Sequence, residues 1–140
     1  MSRVLAVDYG TKRIGLAVSD ESGTLASPLE VVTPRMAKDP VAYVAQKARQ
    51  LGCDTIVVGM PYALDGSMSP MTRRAEAFAR KLKDAFDGEI VRIDERFTSK
   101  EAEGVLLAHD MSRADRKKVV DKVAATIILQ TYLDSRRSDA

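Results

Sequence analysis

The sequence predicts an α/β fold in which a mixed five-stranded sheet carries helices on both faces. Early in the chain, three short apolar segments are joined by short links, which is typical of antiparallel hairpins. Further on, segments with apolar residues at helical spacing alternate with β-branched apolar runs, which is typical of helix-linked parallel strands. The predicted order is therefore β-β-β-α-β-α-β-α-α, with three antiparallel strands before two parallel ones.

The antiparallel half comes from the first three predicted strands. They cover residues 4–9, 14–19 and about 25–33, and Pro28 interrupts the third. Gly23 lies in the link between the second and third strands, where a tight turn favours a residue that tolerates positive φ. We therefore expect two consecutive hairpins.

The helix-linked half begins at Asp39-Pro40, which is an N-cap followed by a proline suited to the first helical position. The first helix ends at Gly52, and residues 55–59 form a continuous apolar strand. Ser69-Pro70 begins the second helix, which Gly88 ends. The remaining predicted elements are a fifth strand over 89–94, a third helix opened by a Thr98–Glu101 capping box, and a last helix from about Arg113 to Asp134.

Composition indicates one compact, soluble domain over residues 1–140, with 135–140 as a frayed tail. The formal net charge is only +2, so a nucleic-acid surface would have to be a local patch. The single cysteine, Cys53, excludes an internal disulfide. The chain carries neither a bilayer-spanning apolar stretch nor a signal-peptide pattern, so we expect a cytoplasmic protein.

Three acids form the candidate catalytic site. Asp8 closes the first strand, Asp94-Glu95 follows the fifth, and Asp121 lies beside the apolar stripe of the last helix. Ligand sites in open α/β sheets lie at the carboxyl ends of the strands, so Asp8 and Glu95 are expected at one edge. Converging carboxylates suit a hard divalent cation, Mg²⁺ or Mn²⁺, and two such ions could support phosphodiester hydrolysis.

Each acid also has a purely structural interpretation. Asp8 could cap the turn that follows it, Glu95 could form a surface ion pair with Arg96, and Asp121 could pair with neighbouring lysines of its helix. Strand alternation sends Asp94 and Glu95 to opposite sides of the sheet, and the residues alone do not choose between them.

Basic residues supply candidate phosphate contacts near these acids. Lys12 and Arg13 form the tip of the first hairpin, and Arg96 and Ser99 follow Glu95. Cations at the start of a helix oppose its dipole, and the last helix begins with four of them: Arg113, Arg116, Lys117 and Lys118. A solvated hairpin tip and a solvated helix face remain alternatives, and a solvated face is the preferred interpretation for Arg73, Arg74, Arg80 and Lys81 of the second helix.

Several of these segments together resemble the YqgF/RuvX family, within the ribonuclease H-like superfamily. The resemblance rests on Asp8–Gly15, Gly59-Met60-Pro61, Asp65-Gly66-Ser67, Asp94–Ser99 and Val120–Ala125. Members are described as Holliday junction resolvases and as the nuclease that matures the 5′ end of pre-16S ribosomal RNA. The resemblance implies a ribonuclease H-like fold and an acidic metal-binding triad of Asp8, Glu95 and Asp121. Met60 stands where the family more often has leucine.

The main functional prediction is a divalent-metal-dependent nuclease that acts on structured nucleic acid, either pre-16S ribosomal RNA or four-way DNA junctions. One alternative is a non-catalytic module that binds RNA or a ribosome precursor. A second is half of an actin-like ATPase, since Asp8-Tyr9-Gly10-Thr11 is similar to a phosphate-binding hairpin. The sequence decides neither whether the substrate is RNA or DNA nor whether the enzyme is an endonuclease or an exonuclease. Junction resolution would require a two-fold homodimer, whereas RNA processing would allow a monomer.

Overall fold

The computed structural model describes residues 3–96 and 113–138, with side chains given for 3–96 and 123–136. Five strands and three helices lie within these ranges. They are β1 (Arg3–Asp8), β2 (Ile14–Ser19), β3 (Ala26–Val32), α1 (Pro40–Gln50), β4 (Cys53–Met60), α2 (Pro70–Ala85), β5 (Glu89–Asp94) and α3 (Arg113–Ser138). The predicted helix at Thr98 lies outside the described residues.

The five strands form one mixed sheet in the order β3-β2-β1-β4-β5. The β1–β2 and β2–β3 pairs are antiparallel, whereas β1–β4 and β4–β5 are parallel. The predicted division into an antiparallel and a parallel half is therefore confirmed. Because β1, β4 and β5 run in the same direction, their carboxyl ends meet at one edge of the sheet.

Alternation along β1 divides the core between the two faces of the sheet. Leu5 and Val7 pack in the core that α1 and α2 cover, whereas Val4 and Ala6 pack under α3. The β4 strand contributes to both cores and is buried over nearly its whole length, as its continuous apolar sequence predicts. Helices consequently cover both faces.

The predicted local signals for turns and helix starts are also confirmed. Asp39 caps α1 through a hydrogen bond from the Ala42 N–H, and Ser69 and Thr72 form a capping box at α2. Gly23 adopts a φ of 70° in the β2–β3 turn. The last helix differs from expectation: it continues to Ser138, through residues that the sequence suggested were a frayed tail. None of the helices in the described ranges is long and apolar enough to cross a membrane.

Candidate active site

Asp8 occupies the last position of β1, at the edge where the parallel strands end. It pairs with Gly15 across the hairpin, so its backbone is fixed by the sheet. Strand alternation places Asp8 on the α3 side, with Val4 and Ala6, and Tyr9 on the α1–α2 side. The short polar link that follows, residues 10–13, then turns the chain into β2.

Glu95 directly follows β5 and is held in register with β4. Its N–H donates to the Met60 carbonyl at 3.1 Å, which extends the parallel pairing one residue past Asp94. This bond and the alternation of the strand bring the Glu95 side chain to the α3 side of the sheet, where Asp8 lies. The structure therefore places Asp8 and Glu95 together.

Gly59 provides the space that the Glu95 carboxylate occupies. A Cβ placed on Gly59 would overlap Glu95 Oε2 and would lie 2.6 Å from Ile128 Cδ1 of α3. Any larger residue would therefore displace either the carboxylate or the helix. In the sequence, Gly59 stands out only as part of the Gly59-Met60-Pro61 motif. Its place at the end of an apolar strand is the one available signal of a close approach there.

Glu95 and Asp8 interact directly through their carboxyl groups. The pKa of Glu95 is raised far above its ordinary range. The largest cause is burial, followed by the charge of Asp8, a hydrogen bond with Asp8 and the charge of Asp94. Two carboxylates can hydrogen-bond only when one is protonated, so the pair holds a proton in the absence of a cation. The two carboxyl groups therefore share one proton, and the pKa of Glu95 is raised as a result.

Asp94 and Arg96 form a separate ion pair on the other side of the strand end. Arg96 Nη2 lies 2.7 Å from Asp94 Oδ2, and the Arg96 N–H donates to Asp94 Oδ1 at 3.0 Å. The guanidinium holds the pKa of Asp94 below its ordinary value. The Glu95–Arg96 surface pair that the sequence allowed does not form among the described contacts, because Arg96 pairs with Asp94 instead.

Asp121 lies on α3, and its side chain falls outside the described part of the structure. Its position in the helix is four residues before Ala125 and seven before Ile128, which both pack against the sheet. This spacing puts position 121 on the sheet-facing side of α3. The described side chains hold no group of three potential ligands among His, Cys, Asp and Glu, so the third member of the triad stays a prediction.

The predicted nucleic-acid contacts fall into three groups. Lys12 and Arg13 lie at the β1–β2 turn, where they line a cavity of about 330 Å³. Arg96 is engaged by Asp94, and its Nη1 also approaches the Leu64 carbonyl at 3.5 Å. Ser99 lies outside the described residues. The side chains of the four cations that begin α3 are also outside the described part, namely Arg113, Arg116, Lys117 and Lys118.

The segment between β4 and α2 borders the same edge and is tied down by hydrogen bonds. Asp65 accepts from the N–H and hydroxyl of Ser67, and the buried Thr72 hydroxyl donates to the Pro61 carbonyl at 2.6 Å. Leu64 nevertheless remains largely exposed, at 75% of its surface. The segment therefore presents an ordered apolar tip beside Arg96.

The donor set fits a hard divalent cation. Asp8 and Glu95 offer carboxylate oxygens only, the ligands that Mg²⁺ and Mn²⁺ prefer. Burial makes the ionised form of Glu95 unfavourable, and the guanidinium of the following residue, Arg96, is directed at Asp94. A cation is the charge that would allow both carboxylates to ionise together.

Comparison with solved structures defines the class of the fold. The chain superposes on Thermus thermophilus RuvC bound to a Holliday junction with a TM-score of 0.57 and 16% identity, covering 98% of this chain and 96% of that one. The fowlpox virus Holliday junction resolvase gives a TM-score of 0.56 and 15% identity, covering 95% and 99%. Together with the sheet order, these likenesses confirm the predicted ribonuclease H-like fold.

The family follows from sequence similarity. The family model RuvX, Holliday junction resolvase, matches residues 2–135. A protein of Geobacillus thermodenitrificans named "Putative pre-16S rRNA nuclease" is 43% identical over 96% of this chain and 99% of its own length. A relative of the same name from Pelotomaculum thermopropionicum is 42% identical over 96% and 88%. The chain belongs to the RuvX family, and the predicted nuclease function is confirmed at that level.

Proposed function

We propose that this protein is a divalent-metal-dependent nuclease that processes the 5′ end of pre-16S ribosomal RNA in the cytoplasm. The Asp8–Glu95 pair is the observation that supports metal dependence, because two converging, partly buried carboxylates are unfavourable without a cation. The names of the close relatives support the RNA substrate.

In this proposal Asp8, Glu95 and Asp121 hold Mg²⁺ or Mn²⁺, with two ions as the expected number. A bound divalent cation lowers the pKa of water and stabilises negative charge on phosphodiester oxygens. The chain itself supplies a fixed geometry: the sheet positions Asp8, the Glu95–Met60 hydrogen bond positions Glu95, and Gly59 leaves room for its carboxylate. Phosphoryl chemistry needs such positioning more than it needs a protein nucleophile.

The basic residues bind the phosphate backbone around this centre. Lys12 and Arg13 lie just after Asp8, and we assign the cations at the start of α3 to the same role. Arg96 would contact the backbone from the position in which its ion pair with Asp94 holds its guanidinium. The nucleic-acid contacts in the proposal are Lys12, Arg13, Arg96, Ser99, Arg113, Arg116, Lys117 and Lys118.

Resolution of four-way DNA junctions is the second candidate, and the description of the matching family model favours it. A junction is cut on two opposed strands, so this activity would require two active sites in a homodimer. The two candidates therefore differ in both substrate and oligomeric state.

The test is cleavage of a labelled pre-16S ribosomal RNA 5′ precursor and of a labelled four-way DNA junction in one series. Wild type and Asp8→Asn are compared without metal, with Mg²⁺ and with Mn²⁺. We expect metal-dependent cleavage of the RNA by wild type and a loss of at least about a hundredfold in Asp8→Asn. Cleavage of the junction alone would establish the second candidate.

Binding of RNA by both proteins without any cleavage would contradict catalysis on these substrates. The non-catalytic binding module would then be the better account of the fold and its basic residues.

A further inference from the structure

A second concave surface lies on the opposite face of the sheet from the acid pair. It is a cavity of about 750 Å³ between the end of β1, the start of α1 and one side of α2. Tyr9 and Phe78 form its aromatic wall, with ring centroids 4.8 Å apart. Cavities of a few hundred to a thousand Å³ hold ligands of about the size of a nucleotide.

Three cations surround this aromatic wall. Lys38 precedes the N-cap of α1, and Arg74 and Lys81 lie seven residues apart on α2, about 10 Å along the helix axis. Phe78 lies between them on the same side of α2. The two flanking cations are therefore placed on either side of an apolar surface.

These cations differ from Arg80 of α2 and Arg92 of β5, which are engaged in ion pairs. Arg80 and Arg92 both pair with Glu76, at 3.3 and 2.6 Å. Within residues 3–96 and 123–136, by contrast, no ion pair engages Lys38, Arg74 or Lys81. Asp39 also lines the cavity, but its carboxylate accepts the capping N–H of Ala42. The cavity thus carries net positive charge.

The cavity is continuous with the neighbourhood of the catalytic edge. Tyr9, Lys38 and Pro40 line both this cavity and the smaller one formed by Lys12 and Arg13. A row of cations consequently leads from the β1–β2 turn, directly after Asp8, to α2. We call this row, Lys12, Arg13, Lys38, Arg74 and Lys81, the basic track.

We propose that the basic track binds a single-stranded segment of the nucleic acid substrate, with one base against Tyr9 and phosphates at Lys38, Arg74 and Lys81. An unpaired segment is required because a base can reach an aromatic wall only when it is unstacked. The proposal rests on the proposed nuclease function, and it adds that the substrate carries a single-stranded extension beside the cleaved bond.

Binding in EDTA tests the track independently of cleavage. Fluorescence anisotropy of a labelled single-stranded RNA is compared for wild type, the double variant Arg74→Ala/Lys81→Ala and the matched control Arg73→Ala/Lys83→Ala. Both variants remove two exposed cations from α2, but Arg73 and Lys83 do not line the cavity. We expect the track variant to bind about tenfold more weakly than the control, and its salt slope to fall by about 1.4 relative to wild type.

Stacking is tested at Tyr9. Tyr9→Phe keeps the aromatic face and should bind like wild type, whereas Tyr9→Leu should bind several-fold more weakly. Equal weakening by the two double variants, or unchanged binding in both, would overturn the proposal. If a mononucleotide displaces the labelled RNA as effectively as an unlabelled strand does, the assignment of the cavity to a strand is overturned.

The same variants separate this proposal from the proposed function. Cleavage that persists with an unchanged KM in Arg74→Ala/Lys81→Ala would reject the track and leave the nuclease intact. If wild type cleaves nothing but Arg74→Ala/Lys81→Ala still binds the strand more weakly than wild type, the nuclease is rejected and the track is left intact.

Discussion

Glu95 is an acid placed where its charge is unfavourable, and this cost gives the metal-free protein a distinctive pH dependence. The fold raises the pKa of Glu95 from 4.5 to about 9. Between these values the folded protein keeps a proton that the unfolded chain has lost, so the free energy of unfolding falls as pH rises. A cation would remove the cost by pairing with the ionised group.

We therefore predict that the metal-free melting temperature falls between pH 5 and pH 8. Glu95→Gln should flatten this decline and raise the melting temperature at pH 8 by about 3 °C or more, because glutamine carries no charge to desolvate. Differential scanning calorimetry in EDTA measures both quantities.

Asp94→Asn is the matched control for this experiment. The pKa of Asp94 is lowered by Arg96, so its charge stabilises the fold above its unfolded pKa, and the variant should lose stability at pH 8. An unchanged slope in Glu95→Gln would show that Glu95 does not carry the shared proton.

The close packing around Gly59 gives a second prediction for a single residue. Gly59→Ala should lower kcat by about tenfold to a hundredfold, because the new Cβ displaces the Glu95 carboxylate and small displacements of catalytic groups are costly. Steady-state cleavage of the RNA precursor measures the loss.

Val57→Ala is the control for Gly59→Ala, since Val57 lies two residues earlier on the same face of β4 and packs under α3. It should lower stability in urea unfolding but keep kcat near that of wild type. Equal losses of kcat in the two variants would attribute the effect to general loosening of the core.

At the scale of elements, the start of α2 joins secondary structure to the catalytic edge. The buried Thr72 hydroxyl donates to the Pro61 carbonyl and accepts from the Ser69 N–H, so it ties the segment after β4 to the helix. Thr72→Val should therefore cost about 1–2 kcal/mol in urea unfolding, since it removes both of these hydrogen bonds at a buried position.

Thr131→Val makes the same chemical change at an exposed position of α3, where the hydroxyl donates to the Ile127 carbonyl. Its cost should stay below about 0.5 kcal/mol. Similar costs in both variants would mean that the Pro61 contact contributes little.

The elements were largely predictable because their signals are local. Caps at Asp39 and Ser69 and the glycine of the β2–β3 turn all act within a few residues, and all three predictions are confirmed. The end of α3 was not predictable in this way. Its last turn packs the Arg136 guanidinium 5.3 Å from the Tyr132 ring, and no proline or glycine marks a stop.

At the scale of the whole molecule, the sequence predicted convergence of Asp8 and Glu95 because parallel strands share an edge. Strand alternation alone could not choose Glu95 over Asp94, a choice that only the family resemblance made. It depends on which side of β5 faces α3 and on the Asp94–Arg96 pair. Nor could the sequence distinguish Arg74 and Lys81 from other solvated cations of α2. That distinction requires knowing that Tyr9 and Lys38 face them across the cavity.

Calorimetric titration with Mn²⁺ measures whether Asp8 and Glu95 together hold a divalent cation. Wild type should bind Mn²⁺ with release of protons, because the cation replaces the proton shared by the two carboxylates. Asp8→Asn and Glu95→Gln should each weaken binding at least about tenfold, and Asp94→Asn should bind like wild type. Undiminished binding in Glu95→Gln together with a loss in Asp94→Asn would mean that Glu95 does not hold the cation.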